Sequence, residues 1–178
     1  MPEVIQQALV ISGSPGCGKS SVSSAMAEAS PRGVHLITDE FFGFLAHTVD
    51  PSLPESNEQN EVVGKAWLGA ARAYIEGGYD VMIDGVIGDW WFYLIGPELR
   101  TFDYVILHAS IEVTLDRCAA RDGQDVQPDM IQRMHPHFEK LTARMSNHVV
   151  DTSRRSLDEV ISEVSRLRTS GQLQVTHE

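Results

Sequence analysis

Short apolar runs alternate with longer segments of helical patterning along this chain. Five runs read as strands: ALVIS at Ala8 to Ser12, VHLIT at Val34 to Thr38, DVMID at Asp80 to Asp84, FDYVILH at Phe102 to His108, and SNHVV at Ser146 to Val150. The residues between them supply helices at Lys19 to Ala29, Glu58 to Glu76 with Gly77-Gly78 as its stop, Ile111 to Arg121, Pro128 to Ala143, and Ser156 to Arg168. Each connection is long enough for a crossover, and the alternation is the signature of βαβ units on a parallel sheet, an α/β fold. A short polar tail is expected from Thr169 to Glu178. One connection is irregular: HTVDPSLPESNEQ, within the segment 44–60, is rich in Pro, Ser, Asn and acidic residues and predicts a flexible loop or flap. It leaves the carboxyl end of the second strand, where open α/β sheets place their ligand crevices.

Composition narrows this picture. With 178 residues and 42% hydrophobic content the chain can bury one good core but not two, so residues 1–178 are expected to form a single domain. Twenty-five Asp and Glu against 14 Lys and Arg give a net charge of −11, with no long basic cluster. Such a field repels a phosphate backbone, and no nucleic acid partner is expected. No run is long and apolar enough for a secretory or membrane-spanning segment, and only two cysteines occur, Cys17 and Cys118, which fits the cytoplasm. Whether the protein is a monomer or a homo-oligomer is left open.

The chemistry is concentrated after the first strand. Gly13, Ser14, Pro15, Gly16, Cys17, Gly18, Lys19 and Ser20 match the G-x-x-x-x-G-K-[ST] phosphate-loop pattern in full, and Ser21 follows in the helix. Glycines at this spacing let successive N–H groups turn inward as an anion-binding nest, and the next helix adds its positive end. Lys19 then serves the β and γ phosphates as a point charge, and the Ser20 hydroxyl is a magnesium ligand. A glycine-rich turn that binds nothing is the bland alternative, but a strand before the loop and a helix after it supply the context the motif demands.

Acidic residues at strand ends extend the site. Asp39 follows VHLIT and is either a general base for an attacking hydroxyl or a helix cap for FFGFL, with Glu40 the bystander. Asp84 ends DVMID before Gly85 and fits the strand-end carboxylate that holds magnesium, against a plain Asp-Gly turn. In DWWFYL, Trp90 and Trp91 cannot both face the core of a regular element, so one of them is a candidate wall for an organic substrate, and Asp89 is a surface carboxylate or a substrate partner. Arg117 and Arg121 lie four apart on one helix face beside an Asp122-Gly123 hinge, as a lid over the γ-phosphate requires. The lid spans about 117–133, and Arg133 is a less certain member. His135-Pro136-His137 lacks a nearby third ligand and reads as an exposed or helix-breaking turn. Cys17 is either an acidified, oxidisable thiol or, more simply, a small filler in the loop. Asp151 and Thr152 fit a turn into a cap at Ser156, with Arg154 a candidate for stacking on the nucleotide base.

GSPGCGKSS, ITDEFF, VMIDG, LDRCAARDG and VVDTS together resemble the small phosphate-loop kinases, above all the chloramphenicol phosphotransferase-like and nucleoside-kinase-like group, with gluconate kinases, shikimate kinases and zeta toxins as more distant relatives. The resemblance covers nearly the whole chain. It implies the three-layer α/β/α P-loop NTPase fold, with a five-stranded parallel sheet in order 2-3-1-4-5. It further implies ATP and Mg2+ as cosubstrate and cofactor, and transfer of the γ-phosphate to a hydroxyl of a small molecule. Carried over residue by residue, Lys19 and Ser20 match the phosphate and magnesium positions, Asp39 the catalytic base, Asp84 the strand-end acid, and Arg117 and Arg121 the lid. His47 to Asn60 and the aromatic run at Trp90 match no single acceptor. A GTPase fits poorly, because N-K-x-D and D-x-x-G motifs are missing. A toxin-like nucleotide-sugar or polynucleotide kinase, and a nucleotide-binding regulator without transfer, are the rival readings.

Overall fold

The computed structural model describes residues 8–120 and 128–177. Strand β1 (Leu9–Ser12) lies in the middle of the sheet, flanked by β3 (Asp80–Asp84) and β4 (Thr101–His108), with β2 (Gly33–Ile37) beyond β3 and β5 (Val149–Asp151) beyond β4. These five strands are parallel in the order 2-3-1-4-5, as the resemblance implies. Side chains alternate across the pleat, so Val10, Ile83, Tyr104 and Ile106 enter one core while Leu9, Ile11, Met82, Val105 and Leu107 enter the other. Helices α2 (Asn57–Glu76), α3 (Phe92–Leu99) and α5 (Pro128–Arg144) cover the first face through Trp67, Leu68, Ile95, Phe138 and Leu141. Helices α1 (Lys19–Ala29) and α6 (Leu157–Thr169) cover the second through Val22, Met26, Val160 and Val164, which completes three layers. Helix α4 (Ile111–Ala119) follows β4 at the carboxyl edge of the sheet and packs on α5. Among the described residues, no helix is long and apolar enough to cross a membrane.

Three elements depart from the expected ones. The tail contains a sixth strand, β6 (Gln174–Thr176), antiparallel to β4. The cause is the shortness of β5: it pairs only with Ile106 to His108, and β6 takes Thr101 to Asp103 on the same side of β4, with Leu173 fully buried beneath it. The fifth strand begins at Val149 rather than Ser146, because Ser146–His148 form a 3-10 turn in which His148 Nδ1 meets the Tyr104 carbonyl at 2.9 Å. DWWFYL opens a 3-10 turn, Asp89–Trp91, that runs into α3, an eight-residue helix with Pro97 inside it. Its aromatic positions and proline hide the helical period.

At the amino ends of the strands Arg168 forms ion pairs with Asp80 at 2.8 Å and with Asp103 at 3.1 Å, all three side chains largely buried. The functional residues lie at the opposite edge.

Candidate functional site

Strand β1 ends at Ser12, whose hydroxyl donates to the Ile87 carbonyl at 2.5 Å and accepts from the Ile87 N–H at 3.0 Å. Tyr104 donates to the same carbonyl at 2.6 Å, and burial pushes its phenol well above the ordinary range. These bonds tie the segment after β3 to the root of the loop. The loop itself needs glycine where it passes the sheet. At Gly13, φ is +144° and a Cβ would stand 2.2 Å from the Leu107 carbonyl; at Gly16, φ is +84° and a Cβ would meet the Thr114 carbonyl at 2.7 Å. Gly18 caps α1 from the left-handed region without a side-chain bond, and no acidic residue stands in the first turn. The orphan N–H groups and the positive end of α1 therefore face an open mouth, the arrangement an anion requires. Lys19 reaches back to the Ser14 carbonyl at 3.1 Å, and Ser20 and Ser21 are exposed beside it.

The adjoining strand ends bring the acids to this mouth. Ile37, the last residue of β2, pairs with Asp84, the last of β3, so Asp39 begins only two residues from that register. Asp39 sits in the 3-10 turn Thr38–Phe44. Desolvation raises its pKa above the ordinary carboxylate value, Lys19 opposes that shift and Asp84 reinforces it, so the three charges act on one another. Asp84 is buried and accepts from or pairs with His35 Nε2 at 3.1 Å, while its carbonyl accepts from the Thr38 hydroxyl at 3.1 Å. His35 and Thr38 were not legible as site residues: one histidine in a strand carries no signal of what lies on the neighbouring strand.

On the other side, Arg117 donates to the Thr152 hydroxyl at 3.0 Å and to its carbonyl at 2.6 Å. Thr152 in turn donates to the Cys17 carbonyl at 2.9 Å. The guanidinium of Arg117, expected in a lid, is engaged at the β5 side of the loop and braces it through Thr152. Arg121 lies outside the described residues, as does the Asp122-Gly123 hinge. Arg154 lines a cavity of about 490 Å3 with Ser110, Val113, Asp151, Ser153 and Arg155, beside the loop and at the start of α4.

No protein-family model and no curated protein matches the chain. Its structure, however, resembles a sugar kinase from Janibacter sp. HTCC2649 with a TM-score of 0.71 at 17% identity, over 91% of this chain and 92% of that one. The chain has the fold of the small phosphate-loop kinases. A gluconokinase from Sinorhizobium meliloti 1021 superposes with a TM-score of 0.63 at 20% identity, over 94% and 97% of the two chains. The tunicamycin resistance protein of Deinococcus radiodurans gives 0.65 at 14% identity, over 91% and 95%.

Segment 44–60 and the Trp90 turn both contact α5. The segment is folded on itself: Gln59 exchanges hydrogen bonds with both main-chain groups of Val49, and Ser56 and Asn60 both donate to the Pro51 carbonyl. Arg133 reaches it from α5, donating to the Ser52 hydroxyl at 3.2 Å. The adjacent tryptophans divide. Trp91 packs on Trp67 with ring centroids 6.1 Å apart and lies against Gly64, whereas Trp90 is 43% exposed and stacks edge-on to His137 and Phe138 of α5. Asp89 is paired with Arg144 at 2.7 Å.

One further expectation is corrected, and the simpler reading of Cys17 is kept. His135-Pro136-His137 is no turn: it lies inside α5, with His135 buried, because Ile131, His135, Phe138 and Leu141 form one face against the sheet. That burial outweighs the hydrogen bond lost at Pro136. Cys17 is fully buried, and desolvation raises its thiol pKa despite Lys19 nearby, so it is a filler and not an acidified thiol. Thiol titration of the native protein should therefore label Cys118 and spare Cys17 until the protein is unfolded. Rapid labelling of Cys17 in the folded state would contradict this.

Proposed function

We propose that the protein is an ATP-dependent phosphotransferase whose acceptor is a hydroxyl group of a small molecule. The observation that carries this is the meeting of Asp39, Asp84 and Lys19 at adjoining strand ends beside an uncapped glycine loop. The donor residues fit a triphosphate: the loop from Gly13 to Ser20 offers main-chain N–H groups and the α1 dipole, and Lys19 adds charge. Ser20 and Asp84 are the residues that would hold Mg2+. Bound there, the ion would neutralise phosphate charge.

Lys19, released from the Ser14 carbonyl, follows the charge that builds on the transferring group. Asp39 accepts the proton of the attacking hydroxyl and orients its oxygen; in a loose transition state that orientation matters more than basicity. Desolvation supports this role by keeping Asp39, although solvent-exposed, more basic than an ordinary carboxylate. Arg117 acts at one remove, holding the loop through Thr152. Arg154 is the group for the nucleotide base, in the cavity beside β5, and Arg121 is proposed from its place in the chain as the γ-phosphate arginine of a lid. The acidic balance of −11 supports a small acceptor over a nucleic acid end. The turn Thr38–Phe44 that carries Asp39 also carries Phe41, Phe42 and Phe44, aromatic surface beside the base, and a location in the cytoplasm, where ATP is available, agrees with this chemistry.

The test is ATP consumption by the purified protein across a panel of hydroxyl compounds: sugars, sugar acids, nucleosides and aromatic alcohols. The expected result is turnover that rises with one acceptor class and yields its phosphate ester. ATP bound with no acceptor-dependent turnover across the panel would instead identify a regulator.

A further inference from the structure

The carboxyl end of β4 carries a second cluster that the transfer chemistry does not use. His108, His135 and Glu139 converge there, their ligand atoms all within 4.8 Å of one another. Glu139 Oε1 lies 3.3 Å from His108 Nε2 and 3.7 Å from His135 Nδ1. His135 and Glu139 are four apart on α5 and so share one helix face. His108 is brought to them from the sheet.

The hydrogen bonding of His135 argues for a cation. Its Nε2 lies 3.0 Å from the Ala109 carbonyl, an acceptor only, so the neutral ring carries its proton on Nε2. Nδ1 then presents a lone pair toward the carboxylate of Glu139, another acceptor, at a distance too long for a hydrogen bond. Two lone-pair donors facing each other across 3.7 Å are stabilised by a positive centre between them. A backbone carbonyl holding the far nitrogen is also the usual partner of a metal-bound histidine, since it fixes the tautomer and the ring plane. For bonds of about 2.0–2.1 Å in a tetrahedron, ligand atoms stand roughly 3.3–3.4 Å apart, close to the two separations observed.

We propose that His108, His135 and Glu139 form a divalent transition-metal site, with zinc as the matching ion and a fourth position open to water. Two imidazoles and one carboxylate suit zinc and disfavour magnesium, so this site is distinct from Ser20 and Asp84. Its place gives it a function. Residue 108 adjoins Leu107, whose carbonyl touches the loop at Gly13, and α5 carries Arg133 to Ser52 and His137 and Phe138 to Trp90. Metal at this point locks α5 to the sheet and, through α5, holds the residues that contact Ser52 and Trp90 in place.

The experiment adds Zn2+ alone to the chelator-treated full chain and follows binding by calorimetry and thermal melting, with Co2+ as a spectroscopic probe. One equivalent should bind, raise the melting temperature, and give visible cobalt bands of a four-coordinate N/O site. Because loss of an outer-shell partner already weakens metal sites about 10–100-fold, H108Q and E139Q should each weaken binding by at least that much. Glu139 is half-exposed, so E139Q is expected to fold; H135Q is read only if its circular dichroism matches that of the parent. Failure to bind Zn2+, or binding unchanged in both H108Q and E139Q, overturns the proposal and leaves His135 as a core histidine held by the Ala109 carbonyl.

Discussion

Asp39→Asn lowers phosphoryl transfer by about 10²–10⁴-fold, the span over which a positioned general base acts, and leaves ATP affinity unchanged. Asparagine keeps the shape of the side chain and can still orient a hydroxyl, but it takes no proton. ATP affinity is preserved because Asp39 belongs to the 3-10 turn after β2 and not to the loop that holds phosphate. The pH profile adds a second readout. The active form is the carboxylate, and desolvation with the nearby Asp84 charge raises the Asp39 pKa. Activity of the parent should therefore fall, as pH is lowered, through a value above the ordinary Asp range of about 3.9, and that acid limb should vanish from the residual rate of the variant. Steady-state kinetics with calorimetric ATP binding decide the matter. Full activity in Asp39→Asn removes Asp39 as base.

Arg168→Met is expected to be the most damaging substitution far from the site. Arg168 lies between Asp80 and Asp103 at the amino ends of β3 and β4, with side-chain exposures of 9%, 17% and 5% for the three residues. Removing the cation leaves two carboxylates facing each other in a largely buried place, and breaking such a pair destabilises by about 3–5 kcal/mol. For a domain of this size that is a melting temperature lower by roughly 6–20 °C. Burial, more than Arg168 compensates, raises the pKa of Asp103 in the folded protein. A carboxylate whose folded pKa is raised contributes stability that is fully present below its unfolded pKa and is lost as pH rises through the folded value. Without Arg168 that upward shift grows, so the deficit of the variant should be largest near neutral pH and should shrink on acidification. Denaturation at several pH values measures it, and a deficit independent of pH would contradict the account.

The phosphate-loop pattern was legible because its residues are contiguous. A loop from Gly13 to Ser20 carries its spacing on the chain, and the strand ends at Asp39 and Asp84 are marked by apolar runs. What was not legible depends on pairing between distant segments. Nothing local to Arg117 announces that Thr152 will hold it, and His35 meets Asp84 only because β2 and β3 stand side by side. The histidines of α5 show the same limit from another side: the third group, His108, is 27 positions from His135, so a search of nearby sequence fails where the fold succeeds. The tail was misjudged for a different reason. Its polar composition is that of an exposed edge strand, and only Leu173 reports the burial beneath it.

That last strand also covers part of one edge of β4. Cutting after Leu173 would leave the loop, the acids and α5 untouched, yet it would bare three main-chain rungs of β4 from Thr101 to Asp103. An open rung is a template for another chain. The shortened protein should self-associate more than the full chain, increasingly so as its concentration is raised.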